Sequence, residues 1–217
     1  MKEKMPPARD GGTIRRPVQQ RGRERFDAIL DVADTLLASF DPREIGVHQL
    51  AGELGISAAT IYHFFPEPSL IFQALAERYI SDIEALNVSL SSFVPDTWQD
   101  VQTQGFRLSM DYFNNNVAAR KVILGSAASY DIRIRDFESD RVLAERGLDN
   151  LRRHFILPED PGLVDRCLEV IVINDAIWSL SIYRHGIITE GMEEQARRAR
   201  IAYGRTFLPE YLPRRER

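Results

Sequence analysis

The chain of 217 residues is 44% hydrophobic and 28% charged, with a formal net charge of −4. This composition is ordinary for a globular protein of one or two domains. No apolar run reaches the roughly 18–20 residues of a membrane span, and Cys167 is the only cysteine, which excludes an intrachain disulfide. Because no apolar segment follows the amino-terminal charges, we expect no secretory signal and a cytoplasmic protein without a membrane partner.

The charge is distributed unevenly along the chain. Residues 1–25 hold eight basic and three acidic residues, a net charge of +5, so the remainder carries −9. A basic segment on an otherwise acidic protein favours a local contact with an anionic polymer, although many basic tails only aid solubility. Residues 1–20 lack hydrophobic periodicity and are rich in Gly, Pro and Gln, which predicts a disordered basic arm.

The first predicted helix runs from about Gly22 to Phe40. Its apolar residues recur at the helical period and form one buried face: Phe26, Ile29, Leu30, Ala33, Leu36, Leu37 and Phe40. Asp41-Pro42 ends the helix, because a proline disfavours helical geometry in the residue before it.

The stretch Val47–Phe65, VHQLAGELGISAATIYHFF, predicts two short helices joined by a tight turn. Gly55 falls where the first helix ends and can adopt a positive φ without steric cost. Ser57 can cap the second helix through its hydroxyl, and Ile61 and Phe64 face inward. A small residue, a glycine four positions later and a β-branched residue six after that are typical of a helix-turn-helix DNA reader, although other helical hairpins share part of this pattern.

Residues 23–83 resemble the DNA-binding end of TetR-family regulators. The resemblance is carried by RERFDAILDVADTLLASF, by LAGELGISAATIYHFF and by the order of the Gly-Ile-Ser, Thr-Ile-Tyr and Phe-Phe-Pro elements. It implies an all-α fold with a disordered basic arm over 1–20, a three-helix DNA-binding domain over 21–66 and a helical ligand-binding and dimerisation domain over 67–217. The function it implies is that of a repressor that a small ligand releases from a palindromic operator in double-stranded DNA.

The exposed side of the second short helix carries most of the residues expected to touch DNA. We assign eight residues to this contact: Ser57, Ala58, Ala59, Thr60, Tyr62, His63, Arg21 and Arg23. Hydroxyl and imidazole groups reach phosphates or base edges, and the two alanines permit a close approach to the groove floor. Because the helix contains no Arg, Asn or Gln, we expect modest specificity from it, with DNA shape contributing.

Three positions bear on how tightly the protein binds DNA. Gly46 stands where the family usually has a capping Ser or Thr, and Pro68 stands where it commonly has a phosphate-binding Lys. His63 has an alternative role as a ring packed beside Phe65. The sequence alone does not decide how tightly the protein binds DNA.

A long helix is predicted from about Glu67 to Ser91, and at 1.5 Å per residue it spans roughly 30 Å or more. The resemblance implies that this helix carries the ligand signal to the DNA-binding domain. Further helices are predicted near residues 98–116, 118–128, 132–155, 163–183 and 191–207, and no strand alternation competes with them.

The segment Leu163–Tyr183 is apolar on nearly every side, so it must be covered on more than one face. The body of the domain covers one face, and a second copy of the chain covers the other, which predicts a homodimer built with the final helix. A dimer also places two DNA readers about one helical turn, roughly 34 Å, apart. The polar residues within this segment line a pocket or bond across the dimer axis: Asn174, Asp175, Ser179 and Ser181.

A ligand pocket in the second domain would favour a largely apolar small molecule with one or two polar groups. Seven residues are candidates for its wall, although plain core packing is an alternative for each: Trp98, Phe106, Met110, Phe113, His154, Asn174 and Trp178.

Two other functions compete with that of a regulator. The four histidines and Cys167 show no metal or catalytic spacing and no nucleotide-binding loop is present, so we expect no enzyme, no metal and no cofactor; a Cys167–His154 pair is the remaining catalytic alternative. The second alternative is a helical partner- or ligand-binding protein with a weakened DNA-binding module, as Gly46 and Pro68 suggest.

Overall fold

The computed structural model describes residues 13–125 and 130–215. Within these ranges the secondary structure is helical, and extended backbone pairs only in an isolated bridge between Phe155 and Arg214. The expected all-α fold is thereby confirmed. The chain divides into two compact units, Met1–Leu75 and Ala76–Arg217.

The first unit contains helices α1 (Gln20–Leu37), α2 (Val47–Leu54) and α3 (Ala58–Phe64). Apolar residues from all three helices and their connections form its core: Phe26, Ile29, Leu30, Ala33, Leu37, Ile45, Val47, Leu50, Ala51, Ile61, Phe64 and Phe65. The ring centroids of Phe26 and Phe65 lie 4.7 Å apart, and Phe64 meets Phe26 edge-on at 6.0 Å. This aromatic contact fixes α3 against α1.

The predicted basic arm lies only partly within the described residues, because residues 1–12 are outside them. Residues 13–18 precede α1 without regular secondary structure. The Arg15 amide donates a 2.8 Å hydrogen bond to the Phe64 carbonyl, and the Arg16 guanidinium lies 5.6 Å from the centroid of the Phe26 ring. The first contact attaches the described part of the arm to the carboxyl end of α3, and the second attaches it to α1.

Helix α1 ends earlier than its apolar pattern predicts. It stops at Leu37, and the Ala38 amide donates to carbonyls of the last turn. The prediction that Phe40 belongs to the buried face is wrong, since its side chain is 39% exposed. A capping box between Asp41 and Glu44 starts a short 3₁₀ turn, so the chain leaves the α1 axis before Phe40 can join its apolar stripe.

The remaining helical elements belong mainly to the second unit, and most of them are longer. They are α4 (Ser69–Val88), which begins in the first unit, a 3₁₀ turn (Ser89–Ser92), α5 (Trp98–Asn115), α6 (Val117–Ala119), α7 (Tyr130–His154), α8 (Leu163–His185) and α9 (Glu190–Gly204). Helices α7, α8 and α9 pack side by side in chain order. No helix within the described ranges is long and apolar enough to cross a membrane.

The predicted helix over residues 118–128 is helical as far as Leu124, and its residues 126–128 lie outside the described ranges. The short α6 continues as a π-helical turn, Arg120–Leu124, and Gly125 is extended. The buried Arg120 guanidinium donates to the carbonyls of Phe113 (2.8 Å) and Asn114 (3.1 Å) at the end of α5. A widened turn therefore accompanies a buried cation that satisfies two carbonyls near the end of α5.

A buried polar network joins α8 to α9. The fully buried Arg200 donates to the Glu193 carboxylate at 2.9 Å and also bonds the Asn174 side-chain oxygen. The Trp178 indole N–H donates to the same carboxylate at 2.7 Å. Such a network holds two helices in one register, because each member loses its partner if the helices slide.

Candidate nucleic-acid interface and ligand cavity

The turn between α2 and α3 has the backbone that the sequence predicts. Gly55 ends α2 in the left-handed region, with φ 62° and ψ 30°. The Ile56 amide donates to the Ala51 carbonyl at 3.0 Å, which closes the helix end as in a Schellman motif. The Ser57 hydroxyl accepts from the Thr60 amide at 3.3 Å and thereby caps α3. Two short helices are thus held at a fixed angle by local interactions.

Alanine substitutions at two glycines test the requirement for positive φ. We expect Gly55→Ala to lower the free energy of unfolding by roughly 1–2 kcal/mol, the cost of a Cβ in the left-handed region. Gly52→Ala, within α2, should raise it by roughly 0.5–1 kcal/mol. A Cβ at either position meets no atom within 4 Å, so backbone conformation alone separates the variants. Urea denaturation measures both, and shifts in the same direction would contradict this explanation.

The exposed side of α3 presents the residues assigned to DNA. Ile61 and Phe64 are buried beneath it, whereas Ala59, Tyr62 and His63 are exposed and Ala58 and Thr60 are half-buried. The side chain of Tyr62 is 41% exposed. This surface offers a phenol and an imidazole beside two methyl groups, which suits a shallow groove contact.

Contacts within the protein modify the sequence assignments on α3. The Ser57 and Thr60 hydroxyls are 3.0 Å apart and share one hydrogen bond, so one of their two protons is already used. The His63 ring meets Phe64 edge-on at 5.2 Å while remaining exposed. Gly46 offers no side-chain cap to α2, as its residue type predicts.

Arg21 and Arg23 lie in the first turn of α1, and both are exposed. Their surroundings differ, since the Arg23 guanidinium donates to the Val18 carbonyl at 3.1 and 2.7 Å. That bond fixes the segment before α1. The basic residues Arg15 and Arg16, which the sequence assignment omitted, are exposed. The first is bonded to the end of α3 and the second lies over an aromatic ring of α1, so this unit carries more basic surface than α3 alone.

The second unit contains a cavity of about 390 Å³. Three of the predicted wall residues line it together: Phe106, Phe113 and Trp178. Phe106 and Phe113 each meet the Trp178 ring edge-on, at 5.9 and 6.1 Å. The indole is itself held by its bond to Glu193, which fixes the orientation of the Trp178 ring.

Four predicted wall residues do not line the cavity. Trp98 belongs to a neighbouring apolar cluster, where its indole donates to the Pro209 carbonyl at 2.9 Å. Met110 is buried, and Asn174 belongs to the Arg200 network. The half-buried His154 packs edge-on against Phe155 at 6.4 Å.

Three buried carboxylates also line the cavity: Asp136 and Asp140 on α7 and Asp175 on α8. One oxygen from each lies within 4.8 Å of the others. Burial, together with the charges of Asp175 and Asp136, raises the pKa of Asp140 to about 9. Burial also raises the pKa of Asp136, although the Arg133 charge opposes this, and burial and the Asp136 charge raise the pKa of Asp175.

The sequence assignment missed Asp136 and Asp140 as cavity residues. They stand four positions apart on a helix whose sequence is otherwise rich in charge, so they look like part of a solvated face. Asp175 was recognised as a polar residue within an apolar helix. The i, i+4 spacing on α7 is the only local signal that the first two share a face.

The outer side of α8 carries apolar residues at three-and-four spacing that the described chain covers incompletely. Ile173 is half-buried, Ala176 is exposed, and Leu180 and Tyr183 are 39% and 86% exposed. An apolar stripe of this length on a surface helix is typical of an interface with another protein surface.

The architecture consists of two parts with different features. A helix-turn-helix unit stands at the amino end, and a helical unit with a largely apolar cavity follows it. All regular secondary-structure elements of the described residues are α-, 3₁₀- or π-helical, and their order fits the arrangement that the sequence predicts.

Solved structures share this fold. A TetR transcriptional regulator from Rhodococcus sp. RHA1 superposes with a TM-score of 0.62 over 85% of this chain and 96% of its own, at 17% identity. A TetR-family regulator from Streptomyces coelicolor gives 0.63 over 83% and 80%, at 16% identity. A protein from Saccharomonospora viridis, described as a transcriptional regulator and solved in complex with choline, gives 0.54 over 89% and 99%, at 16% identity.

Comparison of the sequence with protein-family models and with curated proteins found no match. The chain has the fold of TetR-type transcriptional regulators, in agreement with the resemblance of its helix-turn-helix segment.

Proposed function

We propose that this protein is a DNA-binding transcriptional repressor of the TetR type, which acts as a cytoplasmic homodimer and is released from a palindromic operator by a small ligand. It is a regulator and not an enzyme. The observation that carries this proposal is the capped α2–turn–α3 element with its exposed phenol, imidazole and methyl groups. The solved structures that share the fold are described as regulators, which supports the same assignment.

Dimerisation supplies the second reader that a palindrome requires. The stripe on α8 (Ile173, Ala176, Leu180 and Tyr183) offers an apolar surface of the kind that a two-fold interface buries. Pairing through α8 and α9 would make a four-helix contact. Two copies of α3 would then meet successive turns of a duplex, roughly 34 Å apart.

Ligand release needs a difference in affinity between two states of the dimer. A ligand shifts the equilibrium only if it binds the DNA-free arrangement better than the DNA-bound one. The cavity beside Trp178 offers a binding site, and α4 is a continuous helix with residues in both units. We propose that α4 transmits the difference. The structure from Saccharomonospora viridis holds choline, which supports a small-molecule effector in general terms.

Selection of bound sequences from random duplex DNA, followed by gel shift, tests the DNA-binding function. We expect one enriched palindrome. Replacing Tyr62 or His63 by Ala should weaken binding to it by about tenfold or more, since a lost groove contact costs roughly 1–3 kcal/mol. Sedimentation should show an unchanged dimer for both variants, because neither residue lies in the second unit.

The matched control is Tyr211→Ala, which removes an exposed tyrosine from the second unit and should leave DNA affinity unchanged. Wild-type affinity in both α3 variants would remove these residues from the interface. Failure to enrich any sequence, or a monomer at every concentration, would overturn the proposed function.

A further inference from the structure

The acidic residues of the cavity lining outnumber the basic ones, four aspartates against two arginines. Three of the aspartates, Asp136, Asp140 and Asp175, place carboxylate oxygens within 4.8 Å of one another, and all three are buried. Among the described residues, one cation is paired with this group, since Arg133 donates to Asp136 at 2.7 Å. Buried carboxylates of this number are costly unless protons or cations compensate them.

The three carboxylates differ in how well they are satisfied. Asp136 accepts from Arg133, and Asp175 accepts from the Asn174 amide at 3.3 Å. The Oδ2 atom of Asp140 is buried and has no hydrogen-bond partner within the part of the chain that the structure describes. Since Asp140 lines the cavity, a donor within the cavity is the missing partner.

The rest of the cavity lining is largely apolar, although it also contains two arginines and several neutral polar side chains. Ile83, Phe113 and Trp178 are buried and apolar or aromatic, and Phe106 closes the same wall. The cavity volume, about 390 Å³, lies in the range of roughly 300–1,000 Å³ found for small-molecule sites. Aromatic faces also attract a cation that has left water. The cavity thus combines a cluster of buried carboxylates with a largely apolar lining.

We propose that the effector is a protonated organic amine, whose ammonium group donates to Asp140 and whose apolar body packs against Phe113 and Trp178. The proposal rests on the proposed regulatory function and names the chemical class of its ligand. A protonated amine supplies both the positive charge and the N–H donor that Asp140 lacks. An alcohol supplies a donor without the charge, so it does not offset the negative charge that these carboxyl groups carry when they ionise.

A divalent metal ion suits this site less well. Two of the three carboxylates already accept hydrogen bonds from Arg133 and Asn174. Hard cations such as Mg²⁺ and Ca²⁺ take six or more oxygen ligands, whereas the wall beyond the carboxylates is largely apolar. Stabilisation by a metal ion is therefore one of the outcomes that thermal unfolding distinguishes.

Thermal unfolding of the full chain with matched probe pairs provides the test. The probes are linear amines from butylamine to decylamine and adamantan-1-amine, each compared with the alcohol of the same carbon skeleton. We expect at least one amine to raise Tm by roughly 3 °C or more at millimolar concentration, and its alcohol to raise it far less. The amine-dependent shift should be lost in Asp140→Asn and, as a second variant, in Asp175→Asn.

Asp165→Asn is the control, because Asp165 is a surface residue paired with Arg141, and it should keep the full amine shift. The proposal is overturned if no amine exceeds its alcohol, or if the preference survives in Asp140→Asn. It is also overturned if MgCl₂ or MnCl₂ stabilises the wild type more than every amine does and the Asp140→Asn substitution abolishes this stabilisation. No DNA is present in this assay, so its result is independent of operator binding, which the gel shift measures separately.

Discussion

Replacing Arg200 by Met is expected to lower the free energy of unfolding by about 3–5 kcal/mol, the usual cost of leaving a buried charge without its partner. Arg200 is fully buried, and its guanidinium donates to Glu193 at 2.9 Å and lies 4.0 Å from the centroid of the Phe106 ring. Methionine fills much of the same volume but leaves the Glu193 carboxylate with only the Trp178 indole as a donor. Urea denaturation or a fall in Tm measures the loss.

The double variant Arg200→Met/Glu193→Gln separates the lost charge pair from lost packing. Glutamine keeps an acceptor for Trp178 and removes the uncompensated charge, so the double variant should recover most of the stability. Arg205→Met is the surface control, since its pair with Glu210 is exposed on both sides and should contribute at most about 1 kcal/mol. An Arg200 variant no less stable than the Arg205 variant would show that the buried network is unimportant.

The network around Arg200 connects the cavity wall to the two helices that carry the proposed dimer face. Glu193 and Arg200 lie on α9, Asn174 and Trp178 lie on α8, and Trp178 is part of the cavity wall. The same two helices carry the proposed dimer face. A ligand that displaced the Trp178 ring would act on bonds that fix the register of α8 against α9, which is one route from the cavity to the spacing of the subunits.

The helix-turn-helix was predictable because its determinants are local. Gly55 reaches a positive φ, Ser57 caps α3, and Ile61 and Phe64 are buried, all as residue type and spacing indicate. The positive φ and the cap depend on near neighbours in the sequence, and the spacing of Ile61 and Phe64 puts both on one face of α3, which α1 then covers. The exception is Phe40, whose apolar character fits α1 although the Asp41–Glu44 capping box takes the chain elsewhere.

The cavity was much less predictable because its wall depends on contacts that are distant in sequence. Trp98 and Phe106 stand eight residues apart on α5 and are equally aromatic, yet only Phe106 lines the cavity. Asp136 and Asp140 read as solvated residues until α8 covers them. The sequence identifies which residues are polar within apolar helices, but burial and the direction of each side chain follow from how α5, α7 and α8 pack.

Replacing Asp140 by Asn is expected to stabilise the protein, and more so as the pH rises. The folded chain holds the pKa of Asp140 at about 9, far above the ordinary carboxyl value of about 3.9. The unfolded chain therefore releases this proton at a lower pH than the folded chain does, and stability falls between about pH 4 and pH 9. Asparagine does not titrate, so it removes this part of the loss.

The gain should be small near pH 5 and largest near pH 9. One pKa unit corresponds to about 1.4 kcal/mol, and coupling to Asp136, Asp175 and Arg133 spreads the titration over the whole group. We expect a gain on the order of 3 kcal/mol at pH 9, or roughly 6–12 °C in Tm. Tm measured at several pH values for wild type and variant checks this prediction.

The control is again Asp165→Asn, whose carboxylate is largely exposed and whose replacement should leave the pH profile parallel to that of the wild type. A gain in Asp140→Asn that is equal at pH 5 and pH 9 would mean that the carboxylate is ionised throughout this range. In that case the buried cluster would already hold its compensating charge, and Asp140 would not need a donor from the cavity. The slope of stability against pH therefore tests the same unsatisfied oxygen on which the amine site depends, without any ligand present.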